Sequence, residues 1–380
     1  MSKARLGVVL LAVVVGAAVF AWWPTGARAP IQATVSVREA LARGGAGYTR
    51  ALAPRPFAFP ADHGPHPDFR TEWWYYTGNL RTAAGRHLGF QLTFFRVALA
   101  PEAEPRVSEW ATRQLYFAHF AVTDTAGGRF HAFRRVSRGA LGLAGASAEP
   151  FRVWTEDWSV AGDATAARLR ASEGDVAVDL EVSTTKPVVL QGERGLSRKG
   201  AEPGNASFYY SFTRMPTRGV VRLGGETLEV SGESWMDREW STSGLGADVV
   251  GWDWFAVQLT DGRELMFYRL RHKDGTADPF SGGTLIAADG TTQPLSASDV
   301  RVEALGHWTS PKSGVRYPAR WKVDVRPAEL ALEITPRLAD QELNVGTRYW
   351  EGAVAIAGSA AGRSVLGQGY VELVGYGERR

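Results

Sequence analysis

The stretch DHGPHPDFRTEWWYYTGNL, residues 62–80, decides how the rest of the chain is read. A turn-rich polar lead carrying His63, His66 and Asp68 runs into a segment dense in aromatics. With a period of two, Trp73, Tyr75, Thr77 and Asn79 share one strand face, and Glu72, Trp74, Tyr76 and Leu80 share the other. A second copy follows in GWDWFAVQLTDGRELMFYRL, residues 251–270, where Asp253 lies on a face with Phe255, Val257 and Leu259. Laying Trp73 on Trp252 brings Leu80 onto Leu259. After a two-residue gap, Gly85-Arg86 falls on Gly262-Arg263 and Leu88 on Leu265. The pattern is a duplicated β-hairpin unit with a carboxylate in each half.

Outward from these copies, short strand-like runs are divided by Gly-rich turns such as Ala126-Gly127-Gly128, Leu223-Gly224-Gly225 and Asp289-Gly290. Helical periodicity is nearly absent. The expected fold is all-β, two antiparallel barrels in tandem over residues 54–227 and 228–380. Residues 30–53 read as a linker with one short helix, capped by Ser36 and running over Arg38–Arg43.

Residues 1–29 read as a signal peptide or N-terminal anchor. Lys3 and Arg5 precede the apolar run Leu6–Trp23, and Ala27-Arg28-Ala29 offers a small-x-small cleavage site. The body is therefore expected in the periplasm or another extracytoplasmic space. Of 43 basic residues the leader holds three and no acid, which leaves 40 basic against 40 acidic side chains. A neutral body argues against nucleic acid as partner and confines membrane contact to an uncut leader. The absence of cysteine excludes disulfides, thiol nucleophiles and Cys-ligated metal. Fourteen tryptophans suit an aromatic-lined pocket as well as thick β cores.

Three carboxyls are candidate acids: Glu72, Asp237 and Asp253. A carboxyl on an apolar face has its pKa raised by desolvation and can stay protonated near neutral pH. The bland alternative is a staple paired with arginine, and Arg238 is the partner expected for Asp253. Asp62, His63, His66 and Asp68 lie close together, but loop spacing of this kind is weak evidence, and no metal is assigned. Ser234 in GESWM lacks the second glycine of a nucleophile elbow, which disfavours a serine hydrolase. The candidate ligand-binding set is Trp73, Tyr75, Trp235, Trp240, Trp252, Trp254, Tyr268, Arg238 and His66. Trp73, Tyr75, Trp252 and Trp254 are expected to meet at one cavity or at the domain junction.

The runs HPDFRTEWWYYTGNL, SWMDREW, GWDWFAVQL with DGRELM, and YWEGAV with GQGYVELVGY resemble the AttH-like and carotenoid 1,2-hydratase superfamily. The resemblance spans about Pro54 to Tyr376. It implies two lipocalin-like β-barrels in one chain, a fold shared with fungal pericyclase-type enzymes. Hydratases of this kind add water across an isoprenoid double bond after an acid protonates it. In the resemblance, a His of those hydratases falls at Arg238, and an acidic residue falls near Leu270, after Tyr268. Both proton-handling groups are replaced here, which places the chain nearer the AttH-like branch.

The function expected first is an exported lipocalin-like carrier of a long apolar lipid or isoprenoid-type ligand, working beside an envelope ABC transporter. The alternative is a hydratase or isomerase (a carotenoid 1,2-hydratase-like lyase) using Asp253, Asp237 or Glu72 as acid. A secreted hydrolase is the weaker alternative. No cofactor is expected.

Overall fold

The computed structural model describes residues 45–101, 108–163, 165–242, 245–246 and 248–377. The leader and the expected helix over Arg38–Arg43 lie outside them. The described chain is nearly all β, with only two short 3₁₀ turns, at Ala61–His63 and Arg326–Ala328. A 13-stranded sheet curls into a nearly closed barrel, and a ten-stranded sheet forms a half-barrel. Together they are two lipocalin-like barrels, antiparallel throughout.

Strands of both sheets meet at the junction, and nine of them form its central part. In the first half these are β1 (Thr71–Arg81), β2 (His87–Ala98), β3 (Gln114–Asp124), β4 (Ala206–Leu223) and β5 (Glu226–Ser241). In the second they are β6 (Val249–Leu259), β7 (Glu264–His272), β8 (Arg348–Ala360) and β9 (Arg363–Val374). The central order is β3-β2-β1-β5-β4 in one sheet and β7-β6-β9-β8 in the other.

Where they cross the junction the central strands are buried on both faces, because each face meets a different core. The Trp74, Tyr76 and Leu80 face of β1 fills the first barrel. The Phe255, Val257 and Leu259 face of β6 fills the second. The opposite faces form a third core, in which Tyr75, Tyr209, Trp235, Trp254, Tyr268 and Tyr370 pack together. The halves approach so closely that a Cβ on Gly89 of β2 would lie 2.7 Å from that of Ala353 on β8.

The expected boundary between residues 227 and 228 falls inside the β4–β5 hairpin. Gly224 and Gly225, both at positive φ, form a tight turn rather than a linker. The chain passes between sheets after Ser241 and enters the second at Val249.

The repeat seen in the sequence is a structural pseudo-two-fold. The side-chain amide of Asn79 donates to Gly369 O at 3.1 Å, and that of Gln258 donates to Ser234 O at 3.1 Å. With Trp73 laid on Trp252, Asn79 falls on Gln258, so the two contacts are reciprocal, as across a symmetric dimer interface. The second hairpin turns earlier: Leu80 pairs with Leu88, whereas Val257 already pairs with Leu265. By strand register Leu265 therefore matches Phe90 rather than Leu88.

Candidate functional site

Between the two sheets lies a cleft with about 830 Å³ of empty space, its open mouth included. Trp73, Tyr75 and Phe95 line it from β1 and β2, and Trp252, Trp254, Tyr268 and Leu270 line it from β6 and β7. Phe95 stands opposite Trp73 and Leu270 opposite Trp252, so the two hairpins supply matching walls. The Tyr75 and Trp254 rings meet edge to face at 5.2 Å, beside the pseudo-axis.

Asp237 reaches this cleft from β5, directly across from Tyr75. Its carboxylate accepts hydrogen bonds from Tyr209 Oη at 2.5 Å, Ser211 Oγ at 2.6 Å and Trp235 Nε1 at 2.7 Å. All three donors are neutral. Burial pushes the Asp237 pKa up to about 7, and the neighbouring Glu239 carboxylate adds to the rise, while the three donors restrain it. Trp254 Nε1 donates to Tyr209 Oη at 3.2 Å, which ties this acid to the other half.

Glu372 on β9 is the residue that sequence reasoning missed. It stands across from Trp254 as Asp237 stands across from Tyr75, and it lines the same cleft. Trp252 Nε1 donates to it at 2.5 Å. Burial pushes its pKa up to about 7 as well. Glu351, directly opposite on β8, is fully buried; desolvation, then the Glu372 charge, push its pKa well up. Tyr75 Oη donates to Glu351 Oε1 at 2.6 Å. One signal was available in the sequence: if Trp235 in SWMDREW is laid on Tyr370 in GYVELV, Asp237 falls on Glu372.

The last polar wall is Glu239, Ser207 and Lys199. Lys199 Nζ lies 3.4 Å from Glu239 and 3.9 Å from the Tyr268 ring centre. Burial alone would push the ammonium down, but the Glu239 charge and Tyr268 hold its pKa up. Ser207 Oγ donates to Glu239.

The other expected site residues lie elsewhere. Glu72 points into the first barrel and forms ion pairs with both Arg96 and Arg238. Burial opposes its charge, yet those two guanidiniums hold its carboxyl well below the usual range, so it is no acid at neutral pH. Arg238 therefore serves Glu72, not Asp253, and stacks 4.0 Å from the Trp74 ring centre. His66 stacks on Trp240 at 3.8 Å and hydrogen-bonds Asp62 and Glu72. His66, Trp240 and Arg238 thus belong to the first barrel's closed end. Asp253 lies inside the second barrel, with Arg271 Nε at 2.9 Å and Tyr376 Oη at 3.0 Å. Burial pushes its pKa up, and Arg271 and Tyr376 only partly offset that. Trp235 packs at the junction against Trp254, with ring centres 6.2 Å apart.

In the polar lead, Asp62 takes Arg55 at 2.5 Å and His63 Nδ1 lies 2.5 Å from Tyr210 Oη. No cluster of metal-ligating side chains occurs among the described residues. Ser234 bonds the Thr217 hydroxyl at 2.6 Å.

A family profile described as AttH-like matches residues 50–376. The chain belongs to the AttH-like family. The crystal structure of an AttH-type protein from Nitrosomonas europaea is similar to this AttH-like chain at TM-score 0.78 and 35% identity. It covers 86% of this chain and 99% of its own. Kievitone hydratase from Nectria haematococca has the same fold at TM-score 0.65 and 16% identity, covering 86% and 96%. CghA in complex with Sch210972 shares it at TM-score 0.54 and 13% identity, covering 88% and 97%. No curated protein sequence matches the chain.

Proposed function

We propose that this AttH-like protein admits a mostly apolar small molecule to the junction cleft and moves a proton to or from it, with Asp237 as the acid–base group. The activity is of hydratase or isomerase type. One observation carries the reading: a carboxyl that burial pushes up to about pKa 7, met by neutral donors rather than a cation, faces an aromatic cavity. A general acid or base works best when its pKa lies near the working pH. In water a carboxyl at its ordinary value would be almost wholly ionised.

Each wall has a task in this scheme. Tyr209, Ser211 and Trp235 fix the carboxyl's orientation, so its proton is delivered along one line. Protonated Asp237 gives that proton to an unsaturated carbon or a carbonyl oxygen and becomes the carboxylate. The aromatic faces exclude bulk water and stabilise positive charge as it develops. The carboxylate then takes a proton from the adding water or from an adjacent carbon, which returns the residue to its starting state. The Lys199–Glu239 pair offers a polar anchor at one wall. The hydratase among the structural relatives lends support through its fold alone.

The test is organic extraction of purified protein with mass spectrometry, followed by incubation of the recovered molecule in isotopically labelled water. The expected result is incorporation of the label by the parent protein. Asp237→Asn should fold like the parent, by circular dichroism, and lose incorporation even at ligand concentrations that saturate it. Binding without incorporation in the parent would reduce the protein to a carrier, the form first expected. We further propose an extracytoplasmic location from the leader-like start; full-length chain in the cytosol on fractionation would refute it.

A further inference from the structure

If the junction is a binding cleft, as proposed above, its charges say what kind of molecule it takes. Three carboxyls line it, Asp237, Glu239 and Glu372, against one ammonium, Lys199. Lys199 is already engaged by Glu239. The hydrogen bonds reaching Asp237 and Glu372 come from hydroxyls, indoles and, at Glu372, the neutral Glu351 carboxyl. Behind Glu372 stands the fully buried Glu351, whose carboxyl shares a hydrogen bond with Glu372 and is kept protonated by desolvation and by the Glu372 charge. Around these groups stand the aromatic faces of Trp73, Tyr75, Phe95, Tyr209, Trp252 and Trp254.

We propose that the cleft selects apolar ligands that carry, or develop, positive charge, with Asp237 and Glu372 as counter-charges supplied one from each half. Aromatic faces attract cations, and most strongly where water is excluded. A cation entering the cleft turns both carboxyls into carboxylates, because an opposite charge nearby favours the ionised form. Affinity for a cation should therefore rise with pH through about 7, where both groups titrate. The other titratable groups facing them are Glu239, Glu351, Lys199, Tyr75, Tyr209, Tyr268, Tyr349 and Tyr370. Burial pushes the Tyr75 and Tyr209 hydroxyls well up, so neither ionises in this range. A carboxylate ligand would meet like charges and an ammonium already paired.

Calorimetric titration at pH 6 and pH 8 tests this with three probes that share a benzyl group. They are benzyltrimethylammonium, its uncharged carbon isostere neopentylbenzene, and phenylacetate. At pH 8 the ammonium should bind about tenfold more tightly than the isostere, and phenylacetate most weakly. The preference should shrink several-fold at pH 6. Asp237→Asn and Glu372→Gln should each reduce it, the ammonium losing more affinity than the isostere. If the isostere binds as tightly as the ammonium, or phenylacetate binds best, charge selection is overturned and the cleft reading stands. If no probe binds, both are overturned.

Discussion

The closed end of the first barrel and the junction cleft both bury carboxyls among aromatic rings, and they set those carboxyls in opposite states. Glu72 sits between Arg96 and Arg238 and is locked ionised. Asp237 has as many partners, but all are neutral, and its pKa rises to about 7. Aromatic surroundings alone therefore do not make an acid. What decides is whether the positive charge facing the carboxyl outweighs its desolvation: two guanidiniums do so at Glu72, Arg271 only partly does at Asp253, and neutral donors do not at Asp237.

The largest expected effect breaks the charge balance at the closed end. Glu72→Gln leaves Arg96 and Arg238 buried with no counter-charge, which should cost about 3–5 kcal/mol of stability. Denaturant unfolding followed by circular dichroism measures it. A loss below about 1 kcal/mol would mean that the two arginines find other partners, and the comparison would fail at its root. Asp253→Asn should cost somewhat less, about 3 kcal/mol. Arg271 keeps the Val374 carbonyl and the Tyr376 face, 3.7 Å away, after the carboxylate is gone.

The cleft predicts the reverse sign. The Asp237 pKa lies at about 7 when folded against an ordinary 3.8, so the folded state binds the proton more tightly. Its stabilising contribution is fully present below about pH 4 and is lost as pH rises through 7. Between pH 5 and pH 8 the loss should be about 2–3 kcal/mol. Buried neutral histidines such as His63, pushed down to about 4 by burial, slope the other way in the parent. The parent-minus-variant difference for Asp237→Asn cancels them and should carry the Asp237 slope together with its coupling to Glu372. A difference that stays flat from pH 5 to pH 8 would show that Asp237 is ionised throughout, like Glu72.

Much of this arrangement was legible in the sequence, because alternation is local. The two faces of residues 72–80, the duplication at residues 251–270, and the all-β architecture all follow from a period of two. What was not legible depends on contacts between distant strands. Arg238 and Asp253 looked like partners, yet sheet register gives Arg238 to Glu72 on the neighbouring strand. Glu372 lay in an ordinary alternating strand, VELV, and only its place opposite Trp254 brings it to the cleft. The boundary expected at residues 227–228 fell inside a hairpin because the turns within a sheet and the passage between sheets share one glycine-rich composition.

The smallest effect probes the pseudo-two-fold itself. Asn79 and Gln258 cross the junction in reciprocal directions, each through its side-chain amide to a backbone carbonyl of the facing strand. Gln258 also donates to Thr213 O at 2.8 Å, and the Asn79 carbonyl oxygen lies 2.9 Å from His87 Nε2. Each residue thus makes two bonds, so Asn79→Ala and Gln258→Ala should destabilise by similar amounts, about 1–2 kcal/mol apiece. If the halves dock as one rigid junction, the double variant should lose more or less than the sum, because the first substitution already loosens the second contact. Strict additivity, read from denaturant midpoints, would mean that the two contacts act alone and that the symmetry is a relic of duplication. A coupling of about 0.5 kcal/mol or more would mean that both halves hold the cleft's walls together. In that case either alanine should also loosen ligand binding in the cleft, although neither residue lines it.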